Sequence, residues 1–329
     1  MKFNKIISAV LLVSAVIGCK KDDTTTITPS LDGYLYISGE IPEYVSGGRE
    51  VTLEPKGVSH PDGKELTYTW TVSPSAPTAC TTKVFNFTFS DTLQTCTIYC
   101  TASAEGYTSS SATKYATVVK GGFGENCSIQ GIDYTATKHF STSDTTTYYY
   151  ATLGEQTWML NNVAEGPSGK TYRNAEAMSN VFGRYYSYPE AVAICESLSN
   201  SEMEWKLPSL EDWQTLETYI KGQPEHGNSV VAALMGNATF NNITMWEYWP
   251  SVGDITNATG FSAMPVGYTN VKTSLFDGRN EYAVFWTATE ADRASEANAV
   301  YLICDQPDLY IGHLDKESFG ASVRCIQKK

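Results

Sequence analysis

The chain is poor in positive charge and has few histidines. Its 329 residues carry 23 Lys and Arg against 36 Asp and Glu, a formal net charge of −13. No clustered Lys/Arg run exists, so the electrostatic footprint that a phosphate backbone requires is missing. Nucleic acid and anionic membrane surfaces are therefore not expected partners. Four histidines occur, His60, His139, His226 and His313. None stands in an H-E-x-x-H or other metal-ligand spacing. G-x-S-x-G nucleophile turns and phosphate-cradling glycine loops are also missing. These absences point away from catalysis and toward a protein that binds or builds.

One apolar run stands out, Ile6–Ile17, behind the basic Lys2 and Lys5. It is too short to span a bilayer and reads as a signal peptide over residues 1–18. Val16-Ile17-Gly18-Cys19 has the form of a lipobox, in which Cys19 takes lipid and becomes the new N-terminus. Acyl chains anchor through ~0.8 kcal/mol per buried CH₂. Removal of the leader takes away two lysines and lowers the charge from −13 to −15. Residues 19–32 form a polar Thr/Pro-bearing tether with too little apolar surface to fold. Its Lys21-Asp22-Asp23 resembles the export signal of Bacteroides-type surface lipoproteins. That resemblance implies an outer-membrane protein facing the cell exterior.

Besides Cys19 the chain has Cys80, Cys96, Cys100, Cys127, Cys195, Cys304 and Cys325. An exported chain should oxidise these, with one left over. Zinc is not indicated, since no second short Cys/His pair accompanies Cys96 and Cys100.

The glycine cluster Gly121-Gly122-Phe123-Gly124 marks the internal boundary, with a linker at 121–127. Residues 33–120 read as all-β. Short β-branched and aromatic runs alternate with turns such as Ser46-Gly47-Gly48 and Pro61-Asp62-Gly63. Thr67, Thr69 and Thr71 alternate with Tyr68, Trp70 and Val72, the period of a half-buried strand. About seven such strands predict a β-sandwich. "GVSHPDGKELTYTWTVS" and "FTFSDTLQTCTIYCTASAEGY" resemble a polycystic-kidney-disease-type (PKD) immunoglobulin-like domain, although "SPSAPTAC" replaces that family's Gly-Asp-Gly. The resemblance implies a spacer. A turn near Thr92 would bring Cys100 opposite the start of the 83–89 strand, favouring Cys80–Cys100 over Cys80–Cys96.

Residues 128–329 read as α+β. Ser187 with Glu190, and Ser209 with Asp212, stand at capping-box spacing before two apolar stripes, predicting helices in "SYPEAVAICESLS" and "SLEDWQTLETYI". Trp158, Trp205, Trp213 and Trp286 are expected in the core. Strands are expected in "YAVFWTATE", "ANAVYLICD" and "LYIGHL".

Six ordered stretches carry a second resemblance: "GEQTWMLNNV", "FGRYYSYPEAVAIC", "WKLPSLEDWQTL", "GFSAMPVGY", "FWTATE" and "SVRCI". They are similar to the motifs of the Fibrobacter succinogenes major paralogous domain. Asp212 stands where that family often has Glu, Val266 replaces a loop glycine, and "KHFSTSDTTTYYY" is a longer insertion. The family's layout resembles the C-type-lectin-like fold and, more distantly, the formylglycine-generating enzymes. It implies a disulfide between Cys195 in the first helix and Cys325 in the last strand. Cys127–Cys304 is a further possible bridge.

The implied function is non-catalytic binding or adhesion to a glycan or protein, with no cofactor. Trp246, Tyr248 and Trp249 in "MWEYWPS" are the candidate ligand-binding rings. Gln306-Pro307-Asp308 matches a galactose-selecting calcium triplet of lectins. That makes Asp305 and Asp308 candidate calcium ligands, with a plain hairpin turn as the competing reading. Glu290 is expected to pin loop amides, or to join a cation site. Two alternatives stay open: a structural or tip subunit of a pilus-like fibre, and a formylglycine-generating-type enzyme using Cys304 and Cys325.

Overall fold

The computed structural model describes residues 27–74, 80–142, 146–247 and 252–328. The 1–18 leader, Cys19 and most of the tether lie outside the described residues, as do Tyr248 and Trp249. Among the described residues strand exceeds helix, 41% against 14%, and the strands form seven separate sheets.

Among the described residues, seven strands make up the N-terminal part: β1 (Asp32–Ser38), β2 (Tyr44–Ser46), β3 (Glu50–Ser59), β4 (Thr67–Ser73), β5 (Phe85–Thr88), β6 (Thr95–Ser103) and β7 (Ser110–Val119). They divide into a β1-β3-β5 sheet and a β2-β7-β6-β4 sheet. Inward side chains of both, including Leu53 and Phe85 from one and Trp70, Ile98 and Val118 from the other, share one core. Trp70 and Phe85 stack across it, with ring centroids 5.1 Å apart. Burying a side chain of this size contributes roughly 2–3 kcal/mol.

Sheet pairing corrects the expected Cys80–Cys100 bond. β5 pairs with β3 rather than with β6, so no hairpin brings Cys100 to Cys80. Trp70 lies between them, bridged to Cys80 on one side and paired with Cys100 on the other. Two strand spacings separate the cysteines by about 9–10 Å, beyond the ~7 Å that a disulfide can close. Both are free, and so are Cys96, Cys127 and Cys304. Cys127 and Cys304 thus form no second bridge.

In the C-terminal part, Thr147–Leu153 and Gln156–Met159 form a hairpin at the heart of a five-stranded sheet. The closing strand Ile326–Gln327 pairs beside it, and Trp205–Lys206 completes that side. A separate antiparallel sheet runs Tyr282–Glu290, Glu296–Ile303, Tyr310–Asp315. Two helices cover the sheets, Tyr188–Ser197 and Leu210–Lys221. Each begins with its capping box. The Ser187 amide donates to Glu190 Oε2 at 2.8 Å and the Ser209 amide to Asp212 Oδ2 at 2.8 Å. Asp212 N–H returns the bond to Ser209 Oγ at 3.1 Å. Trp158, Trp205, Trp213 and Trp286 are fully buried.

Cys195 and Cys325 are disulfide-bonded, tying the first helix to the last strand across 130 residues. Beside Cys325, the Arg324 side chain runs into the core and is 1% exposed. Its Nε donates to Asn162 Oδ1 at 2.9 Å and its Nη2 to the Ser262 carbonyl at 3.0 Å. Nη1 donates to the Phe261 carbonyl. The guanidinium lies 4.4 Å from the Phe261 ring centroid and 5.3 Å from that of Phe285. Burial lowers its pKa to about 10.

Three outcomes are expected. Arg324→Met leaves three buried acceptors unpaired at ~1–3 kcal/mol each, so urea denaturation should show a loss of at least about 3 kcal/mol. Cys195→Ala with Cys325→Ala releases a long loop, and the midpoint should fall by an amount equivalent to ~4–5 kcal/mol. Burial pushes the Asp212 carboxyl up, but bonds from Lys206 and Ser209 outweigh it and hold the group below 3.8. Its contribution is therefore complete above 3.8 and lost as pH falls through the lower folded value. Asp212→Asn should flatten the acid limb of stability against pH, measured by denaturant titration.

Candidate functional site

The N-terminal sheets and the C-terminal part meet at an aromatic seam. Tyr44 of β2 packs on Tyr172 and Phe240, with centroids 5.9 and 6.0 Å away. Tyr44 and Val119 belong to the same buried cluster as Phe182 and Met264. Beneath the seam, the Arg279 guanidinium lies 5.2–5.7 Å from the rings of Phe240, Tyr172 and Phe182. Such cation–ring contacts strengthen as water is excluded. Burial raises the Tyr44 phenol to about 12. Glu43 and Arg173 add an exposed pair at 3.8 Å.

The glycine linker is pinned rather than loose. Lys120 and Ser128 exchange bonds, and the Gly122 amide donates to the Asn180 carbonyl at 3.1 Å. A Cβ at Gly121 would come within 2.9 Å of that same carbonyl oxygen, so only glycine allows this approach.

Beside the seam opens a cleft of about 800 Å³, within the range of small-ligand sites. One wall is the Ser46–Arg49 turn. The other is formed by Glu176–Gly183, with the linker between them. Thr146, Ala164, Glu176, Ser179 and Asn180 also line an adjoining hollow of about 480 Å³. The floor is Asn161 and Asn162, whose amides are committed to the framework. Asn161 accepts from the Tyr149 amide and donates to the Thr147 carbonyl. Asn162 donates to the Phe182 carbonyl and accepts from Arg324. Tyr149 presents a fixed ring, stacked on Tyr134 with centroids 4.6 Å apart and edged by Phe123.

Charge at the cleft is sparse. Arg184 at the rim pairs with Glu176 and donates Nε to the Ala164 carbonyl at 3.1 Å. Arg49 is exposed on the opposite wall. The uncharged polar lining residues that are exposed or half-exposed are Ser46, Thr146, Thr147, Tyr149 and Asn180. Such a lining offers hydrogen-bonding groups and a ring for stacking.

The residues singled out in the sequence do not assemble here. Trp246 is 4% exposed and donates its indole N–H to the Ala263 carbonyl at 3.1 Å. That corrects its reading as a ligand-facing ring: it anchors the long loop to the core. Asp308 lies 3.0 Å from Lys221 Nζ, which also pairs with Glu217. It thus shares with Glu217 the lysine that ends a helix. Asp305 accepts from the neighbouring Gln306 side chain. Among the described residues no group of three or more His, Cys, Asp or Glu could hold a metal ion. Glu290 pairs with Lys316 at 2.9 Å instead of pinning loop amides. Cys325 is committed to Cys195, and Cys304 is buried with its thiol raised to about 11. The two therefore form no thiol pair.

Sequence reading missed the cleft because its walls come from distant segments. One signal was available: the two asparagines that follow "GEQTWML" are its floor.

None of the curated proteins compared with the chain matches it. The model of the Fibrobacter succinogenes major domain matches residues 151–327, more than half of the chain. The match takes in the cleft floor, the disulfide and Arg324, and the chain belongs to the Fibrobacter succinogenes major domain family.

Proposed function

We propose that the protein is a surface-exposed outer-membrane lipoprotein that captures a glycan or protein ligand without turning it over. In this reading residues 33–120 are an immunoglobulin-like, PKD-type sandwich acting as a stalk. Residues 128–329 are a C-type-lectin-like head. The head begins upstream of the family match, because Lys138–Ser141 pairs in register with Thr147–Leu153 in the same sheet. The lipobox at Cys19 supports the anchor, and the acidic residues after it support the outward face. No helix among the described residues is long and apolar enough to cross a membrane.

The observation that carries the proposal is the cleft of about 800 Å³ where stalk and head meet. Its floor amides are already paired and its aromatic platform is already stacked. Such a site binds with little ordering cost. Placement beside a glycine-pinned linker holds both walls in fixed relation.

The test is an array of glycans and matrix proteins probed with the full chain, followed by titration of each hit. Tyr149→Ala removes the platform and Ser46→Trp fills the mouth. Each should weaken the hit at least about tenfold, a change of ~1.4 kcal/mol. An array without hits, or hits that both variants retain, would reject the cleft as the site.

A further inference from the structure

The solvent face of the β2-β7-β6-β4 sheet is unusual in chemistry. Outward positions alternate along each strand. On β4 they run from Thr67 to Ser73, on β6 from Thr95 to Ser103, and on β7 from Ser111 to Thr117. Every one is Thr, Ser or Tyr, and none is charged. The opposite sheet is ordinary by comparison: the outward positions of β3 include Glu50, and a Glu54–Lys56 ion pair. In a chain of net charge −13, a three-strand face without a single charge is a distinct surface.

Strand register orders the face into rows. Thr69 is paired with Thr101, and Thr101 with Ser111. Neighbouring hydroxyls already bond across the strands: Thr101 with Ser111 at 3.1 Å, and Thr95 with Thr117 at 3.0 Å. Each bonded hydroxyl retains capacity for a further partner. Two tyrosines stand among them. Tyr99 is 42% exposed and Tyr115 is 64% exposed. Tyr99 pairs with Thr113 and Tyr115 with Thr97, so the two rings occupy diagonal positions on adjacent strands. Diagonal neighbours lie about 7–8 Å apart, within reach of large side chains.

We propose that this face binds an uncharged polysaccharide, separately from the cleft. Two ring faces would stack on the apolar faces of pyranose units, and the hydroxyl rows would bond their hydroxyls. The absence of charge selects the partner. An anionic polymer meets no cation here, inside a molecule whose net field repels it. A second copy of the chain would bury hydroxyls against hydroxyls while both partners carry the same negative net charge.

The experiment is affinity electrophoresis of the full chain in gels holding xyloglucan, galactomannan or soluble starch, with alginate as the anionic control. At least one uncharged polymer should retard the chain while alginate does not. Tyr99→Ala with Tyr115→Ala should weaken that retardation at least about tenfold, whereas Tyr99→Phe with Tyr115→Phe should keep it. Thr113→Asp, an exposed single change beside Tyr99 that puts a charge on the face, should weaken it as well. The cleft variant Tyr149→Ala should leave it unchanged, which separates this surface from the cleft. Three results would overturn the proposal: retardation by none of the uncharged polymers, equal retardation by alginate, or retardation indifferent to the alanine pair and to Thr113→Asp. Sedimentation that shows a dimer broken by the alanine pair would assign the face to a second copy instead.

Discussion

The C-terminal part depends on one buried cation. Arg324 carries its charge into a region where no carboxylate among the described residues meets it. Burying such a group unpaired costs several kcal/mol. It is tolerated because three oxygens and two ring faces replace its water. Those oxygens belong to Asn162, Phe261 and Ser262, and the rings to Phe261 and Phe285. The opening hairpin, the "GFSA" loop, a central strand and the closing strand are thereby held to one point. The neighbouring Cys195–Cys325 bond adds a covalent tie from the first helix to that same closing strand.

This arrangement passes directly to the cleft. Asn162 accepts from Arg324 on one side and donates to the Phe182 carbonyl on the other. The cleft floor is therefore an extension of the core network, and its position follows from the same guanidinium. A second cation, Arg279, works in the same way beneath the seam, where three aromatic rings surround it and Tyr44 of the N-terminal part packs on two of them. Cation–ring packing suits a boundary that must be dry yet hold an arginine. Rigidity at the seam and a pinned linker give the two parts a fixed relation, and a binding site between them can then be preformed.

Several features were legible in the residues. Both capping boxes occur where Ser187 and Ser209 announced them, because a cap is a contact three residues long and needs no tertiary help. The core tryptophans were legible from their place in apolar motifs. Trp246 was misread for the opposite reason. Its neighbours are polar and aromatic in a glycine- and asparagine-rich stretch, and only the Ala263 carbonyl shows where its indole points. Cys80 was misread because strand order is non-local: a turn near Thr92 joins two sheets rather than two paired strands. The alternating threonines of β4 were visible as a pattern, but their continuation onto β6 and β7 depends on register.

The sequence alone determined the family, the helix starts and the periodicity of the strands, since each rests on local spacing or ordered motifs. Only the tertiary structure decided which cysteines are free, where Trp246 points, and that distant walls enclose a cleft. Those outcomes depend on contacts between residues far apart in the chain, such as Asn162 with Arg324, 162 positions away. No local pattern specifies such contacts, because packing selects them only after each strand has found its neighbours.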